Sequence, residues 1–542
     1  MEENVTYPRT QKELVCIMEK AGKEGRLLET VLDEFAAHPF HMPALWACRS
    51  YLHQLDAEAC RSHPALPPLL ALLSAMEGDL EQAREYVRLL GEAPRRWKPQ
   101  DFREQDYYRI YAELVMPYTS DGMFLRIVFF LIKTGMVPVR SLTLSASRPS
   151  ILNGFRDFTR FGPYLERYKD TISETVHQLY GSVGKNVYEI LLAEWCYQNN
   201  DCFKSLILVT GTIPLIEQES DMRCLFVALA LQMRILLMNG QAGTAKPLVE
   251  KIRNRIHETG WEELTSSLNA LACLAACYDG QQEAIVEWLE HDAPDENGDI
   301  YMMDMFAWLV KVRCYLQVGK NMAAYVLVRQ LITLLEPGKR YMDLCECHML
   351  LAIICHKADD RERMCEELET ALTLAKRYRY IRLLADEGIC MVQMLSVYQR
   401  EKGADAFTGQ IMELAGSVSR YFPHYLKTPA EYYEPLTATE QKVLRLMALG
   451  MSNDEIAEKL GRKTGTVKFH SNSCLLYTSP SPQRRWQRRQ ASRRRKHGAA
   501  PRTARTTPSA RIPPCGPEPA RRRPGRSIGS PMQTIWKPSA SG

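Results

Sequence analysis

Residues 305–337 read MFAWLVKVRCYLQVGKNMAAYVLVRQLITLLEP. Apolar side chains recur at three- and four-residue spacing on both sides of Gly319, which is the signature of two amphipathic helices rather than of strands. A glycine between two such helices ends the first in a left-handed turn that other residues resist. Ala324 supplies a small side chain where the second helix must approach the first, and Pro337 ends the unit. The stretch predicts one antiparallel helical hairpin.

Working outward, the same grammar returns as Gly240/Ala245/Val249, Gly280/Ala284/Trp288 and, near the start, Gly78/Ala83/Val87. The turns Gly240, Gly280 and Gly319, with Asp359 as a weaker fourth, are spaced 40, 39 and 40 residues apart. Trp308, Tyr315, Gly319, Ala324 and Pro337 together resemble the tetratricopeptide pattern, stretched beyond its usual period of about 34. The resemblance implies an all-α fold in which helical hairpins stack into a superhelix over residues 1–430. In residues 1–230 the period is poor, and an irregular helical bundle is the competing reading there.

A linker rich in aromatics and proline near Tyr421 to Pro435 precedes residues 436–473, LTATEQKVLRLMALGMSNDEIAEKLGRKTGTVKFHSNS. Thr437 with Glu440 and Ser452 with Glu455 have the spacing of capping boxes, each opening a helix. The first of these helices should end at Gly450, the second near Leu460-Gly461, and a third should begin around Thr464. Two capped helices joined by a tight turn, followed by a third bearing Lys and Asn, form the pattern of a helix-turn-helix. Leu436, Leu444, Ile456, Ala457, Leu460 and Val467 are the candidate packing positions.

The run L-T-x-x-E-x-x-V-L, G-x-S-N-x-E-I-A-x-x-L, T-V-K-x-H resembles the LuxR-type DNA-binding domain. With the helical repeats before it, the chain is similar to regulators of the maltose-regulon-activator type. That resemblance implies duplex DNA as partner, a homodimer on DNA, and an inducer or protein bound by the repeat surface. It places Lys468, Phe469 and Asn472 where the recognition helix meets base edges, with Thr466 as a phosphate contact. A lysine can donate to guanine O6/N7, and an asparagine can pair with an adenine edge. Arg462, Lys463 and Ser471 depart from the family pattern. The family's fourth helix is missing from its usual place, where Pro480 and Pro482 forbid a regular helix.

Composition divides the chain in two. Residues 474–542 carry 16 Lys/Arg against Glu518 alone, a net charge of +15, whereas residues 1–473 carry −10. Cys474 to Pro482 is similar to one reading frame of a transposon-end sequencing adapter. The Arg- and Pro-rich remainder reads as GC-rich DNA in an arbitrary frame. A disordered, non-native tail is expected over 474–542, and a chain ending in it should bind DNA through charge, without sequence selectivity.

The sequence offers no catalytic constellation. The nearest match to a phosphate-binding loop, Gly181-Ser182-Val183-Gly184-Lys185-Asn186, has the wrong spacing and lacks the hydroxyl that holds magnesium. No H-E-x-x-H occurs, and the one G-x-S-x-G, Gly525 to Gly529, falls in the Arg- and Pro-rich residues 474–542. Of the 16 cysteines none forms a C-x-x-C pair. In the densest cluster (Cys345, Cys347, His348, Cys355, His356), His348 and Cys355 lie about 10 Å apart along a helix, too far for one zinc ion. No metal, cofactor or enzymatic activity is expected. Met1 to Asn4 does not open a signal peptide, and the apolar stretch Phe124 to Val139 is broken by Arg126 and Lys133. A cytoplasmic protein without membrane spans is expected. Its function reads as a DNA-binding transcriptional regulator with a helical-repeat sensor region. The alternative is a repeat scaffold that only binds proteins.

Overall fold

The computed structural model describes residues 10–35, 41–55, 57–91, 148–180, 184–219, 222–296, 298–427 and 451–462. Scattered positions between 112 and 127, between 442 and 447, and at 464 and 467 complete it. Among the described residues the chain is helical, and no strand is present beyond the single bridge of Asn153 with Asp157. None of the described helices is long and apolar enough to cross a membrane.

Four hairpins carry the period expected from the glycines. They pair Met222–Met238 with Ala242–Thr259, Thr265–Asp279 with Gln282–His291, Met305–Gln317 with Asn321–Leu335, and Tyr341–Lys357 with Arg361–Tyr378. The turn residues Gly240, Gly280, Gly319 and Asp359 all adopt positive φ, between 56° and 76°. In each turn the following N–H reaches back to a carbonyl five residues earlier: Gln241 to Leu236, Gln281 to Ala276, Lys320 to Tyr315 and Asp360 to Cys355, at 2.7–2.9 Å. These bonds satisfy carbonyls that a helix end would otherwise leave without partners.

The structure extends the series one step toward the N-terminus. Gly184–Gln198 and Cys202–Glu219 form a further hairpin whose turn residue is Asn200, at φ 69°, with Asp201 N–H bonded to Cys196 O at 2.8 Å. Asparagine tolerates the left-handed region better than most residues, so the turn keeps its geometry without glycine. Leu66–Met76 and Leu80–Gly91 repeat it at Gly78, with Asp79 N–H on Ser74 O at 2.9 Å.

The small-residue register needs one correction. Counting five residues on from each turn gives Ala83, Ser205, Ala245, Ala324 and Met364, all buried, and in the second hairpin Ile285. Ala284 is only half-buried there. The inward position is fixed by the turn, not by the residue type, and the crossing in that hairpin accommodates a larger side chain. Gly240 has a second constraint besides its φ, because an added Cβ would stand 2.6 Å from the ring of Tyr421.

The last hairpin, Ile389–Lys402 with Ala406–Tyr421, packs beside the short helix Ile381–Ala385. That short helix also meets Gly184–Gln198, about 190 residues earlier in the chain. Gln198 Oε1 accepts from Leu383 N–H at 3.2 Å, Tyr197 Oη donates to Asp386 at 2.6 Å, and Arg379 donates to Asn199 at 2.8 Å. The stack of hairpins thus returns onto its own leading helix.

Candidate functional site

The helix-turn-helix segment is described from its middle. Asn453–Lys459 is a helix opened by Ser452, whose hydroxyl accepts from Glu455 N–H at 3.3 Å. The Glu455 carboxylate in turn accepts from Ser452 N–H at 2.7 Å, completing the capping box read from the sequence. These bonds hold the Glu455 carboxyl below the usual carboxylate range. Gly461 ends the segment at φ 60°, and Arg462 N–H closes the turn on Ala457 O at 2.8 Å. Arg462 is exposed, so its charge stays in water.

Val443, Ile456, Ala457 and Val467 form a small core of their own, with Leu460 half-buried against it. Val443 comes from before the turn and Val467 from beyond it, so three stretches of the segment share one apolar centre. Thr466, Lys468, Phe469 and Asn472 lie outside the described residues, as do Leu436, Leu444, Thr437, Lys463 and the whole of 474–542.

The second candidate site is a cavity of about 100 Å³ among the first helices of successive hairpins. Its polar wall takes one residue after another along the repeat: Glu194, Arg234, Tyr278, Arg313 and Glu346. Arg313 is buried and bonded to Glu346 at 2.7 Å, to Glu387 at 2.5 Å and to the Tyr425 hydroxyl at 3.1 Å. Tyr425 donates in turn to Glu387 at 2.9 Å and stacks on Tyr278 with ring centres 4.3 Å apart. Burial raises the Glu387 carboxyl, although the Arg313 guanidinium opposes the shift. Arg234 reaches Asp386 at 3.2 Å.

Glu194 also lines the cavity. Its carboxylate accepts from Ile151 N–H at 2.8 Å, from Leu152 N–H at 3.3 Å and from the Ser150 hydroxyl. Burial pushes its pKa up to about 7 despite these donors. Nearby, Asp343 receives Arg148 at 2.9 Å, Arg340 at 2.7 Å and Asn153 Nδ2 at 2.8 Å. Burial would raise this carboxyl, but Arg148 and Arg340 together hold it down at about 2. The sequence reading missed these residues. Charged groups inside apolar helices, such as Arg313 between Val312 and Cys314, were the signal that could have found them.

Among the described residues, the donor atoms of the densest cysteine cluster are not brought together as a group. Cys345, Cys347 and Cys355 are buried free thiols, and His348 is engaged by Glu367 at 2.6 Å. Three other cysteines do converge. Cys273, Cys277 and Cys314 bring their sulfurs within 4.8 Å of one another.

Comparison with known families reads the same architecture. Residues 183–401 match a MalT-like TPR region. Residues 434–475 match the luxR family of bacterial regulatory proteins. The chain joins a MalT-like repeat region to a luxR-family helix-turn-helix domain. No curated protein matches it. The repeat match begins one residue before the hairpin turned at Asn200 and runs to the end of Ile389–Lys402, covering the register of positive-φ turns. The luxR-family domain makes the chain a DNA-binding transcription regulator in class.

Proposed function

We propose that the luxR-family domain reads duplex DNA through Lys468, Phe469 and Asn472, with Thr466 on a phosphate, and that the MalT-like region governs it by binding a ligand in its inner cavity. The observation that carries the DNA reading is the shared core of Val443, Ile456, Ala457 and Val467. With Val467 turned inward, a helix running on from it would carry Lys468 and Asn472 about 100° and 140° away, on one outward side. A homodimer on paired half-sites is the arrangement such domains use. The polar wall of the cavity supports the sensor reading, because convergent charged and aromatic groups in an otherwise apolar space are the usual make-up of a ligand site. The tight pairing of those charges favours a polar ligand that can take over hydrogen bonds. The cytoplasm is the compartment this role requires.

The test is selection from a randomised duplex library at two salt concentrations. It compares the 542-residue chain with a chimera in which residues 474–542 give way to a luxR-family fourth helix. The chimera should enrich a paired motif, and Lys468→Ala in it should cost about 1–3 kcal/mol on that motif. The full chain should bind with steep salt dependence and little selectivity, through its Arg-rich residues. Enrichment of no motif by the chimera would leave the repeat region as a protein-binding scaffold. Loss of affinity for every sequence equally would demote Lys468 to a phosphate contact.

A further inference from the structure

Cys273 and Cys277 are four residues apart on Thr265–Asp279 and so share one face of that helix. Cys314 faces them from Met305–Gln317, the first helix of the next hairpin. Its sulfur is 3.3 Å from that of Cys273 and 3.7 Å from that of Cys277. All three side chains are buried. We propose that this triad is a three-coordinate site for a trivalent thiophilic metalloid, arsenite or antimonite, which it binds as a neutral tris-thiolate.

Geometry sets the coordination number. Sulfurs bonded to one central atom at about 2.3 Å, with bond angles from about 95° to 120°, lie about 3.4–4.0 Å apart. The 3.7 Å separation falls inside that range and the 3.3 Å one just below it. Among the described His, Cys, Asp and Glu residues, no fourth donor joins the group. Zinc in a structural site takes four ligands, so the triad is one short.

Charge then selects the ion. Three thiolates around Cu(I) leave two net negative charges in the core, and around Zn(II) one. A buried charge without a partner is costly. Arg313, whose field reaches Cys277, is already committed to Glu346 and Glu387. Arsenite avoids the problem: As(OH)₃ and three thiols give As(SR)₃ and three waters. Each S–H proton leaves with a hydroxide, arsenic stays trivalent, and the product is uncharged. The lone pair on arsenic takes the place of a fourth ligand. A peroxide-sensing role fits less well, since sensor cysteines are accessible thiolates and these are buried.

The experiment incubates the reduced full chain with arsenite in excess glutathione, which outcompetes isolated thiols such as the exposed Cys16. Arsenic per protein is read by elemental analysis after desalting, and the melting temperature is read alongside. One arsenic per chain and a raised melting temperature are expected. Cys314→Ala and Cys273→Ala should each lower affinity at least tenfold and abolish the thermal shift, while Cys347→Ala should retain both. Helical content measured by circular dichroism shows that each variant is folded. If one variant of the triad fails to fold, the other decides. Equal arsenic in the triad variants and the parent would overturn the proposal. So would no arsenic in the parent, or zinc retained in preference to arsenite.

Discussion

Asp343→Asn tests whether buried charge holds the stacked hairpins closed on themselves. Asp343 joins Tyr341–Lys357 to the segment around residues 148–157, nearly 200 positions earlier, and both arginines on it are buried. Its carboxyl is held at about 2 against an ordinary 3.8. At 1.36 kcal/mol per unit this corresponds to roughly 2 kcal/mol favouring the charged form in place. Asparagine loses that charge and also turns an N–H₂ toward Arg148, Arg340 or Asn153, all of them donors. Removing one partner of a buried ion pair costs about 3–5 kcal/mol. The expected loss at pH 7 therefore lies between roughly 2 and 5 kcal/mol.

Because the folded pKa is depressed, the stabilisation is present above 3.8 and lost as pH falls toward 2. Urea unfolding of the parent and the variant at pH 7, about 4 and about 2.5 should show the gap narrowing only below about 3.8. The double variant Arg148→Met, Asp343→Leu should recover a large part of the loss, since it leaves fewer charges without partners. A loss under about 1 kcal/mol, or a gap that does not respond to acid, would refute the reasoning.

Glu194 gives the opposite pH signature. Its folded pKa of about 7 lies above the ordinary 4.5, so the native state keeps a proton that the unfolded chain releases. Stability should fall by up to about 3 kcal/mol as pH rises through that window, and Glu194→Gln should flatten the slope in urea titrations between pH 5 and 7. Gly240→Ala and Gly280→Ala share the left-handed penalty of about 1–2 kcal/mol, but only the former meets the Tyr421 ring. It should be the more destabilising in thermal melts, and Tyr421→Ala should remove the difference. Ser452→Ala should cost the helix-turn-helix about 1 kcal/mol, read as faster hydrogen exchange in Asn453–Lys459 with the repeat region unchanged.

The turns were legible because glycine marks a conformation that other residues avoid. Gly240, Gly280 and Gly319 carried the period, and Asp359 was readable only by counting from them. Asn200 was not, since asparagine at a helix end serves many purposes and the glycine rule passes over it. The capping box at Ser452 and the turn at Gly461 were legible for a related reason: each is decided by neighbours within four residues. What the sequence hid depends on distance along the chain. Glu194 meets Ser150, Arg313 meets Glu387, and Asp343 meets Arg148 across tens to nearly two hundred residues. No local pattern announces such pairs.

The period itself contains a way past that limit. In stacked hairpins, residues about 40 apart occupy equivalent depths on adjacent first helices, so a chemically unusual residue should be compared with its counterparts one repeat away. Cys314 lies 41 residues after Cys273 and 37 after Cys277, on the two sides of one repeat, and the three sulfurs meet. Glu194, Arg234 and Tyr278, spaced 40 and 44, line the same cavity. Residues scattered in the chain are thus columns in the fold, and a repeat protein's polar site is written down the column. Once the turns supply the register, a search for polar or thiol-bearing columns recovers both the cavity wall and the cysteine triad, which neither motif matching nor nearest-neighbour spacing detects.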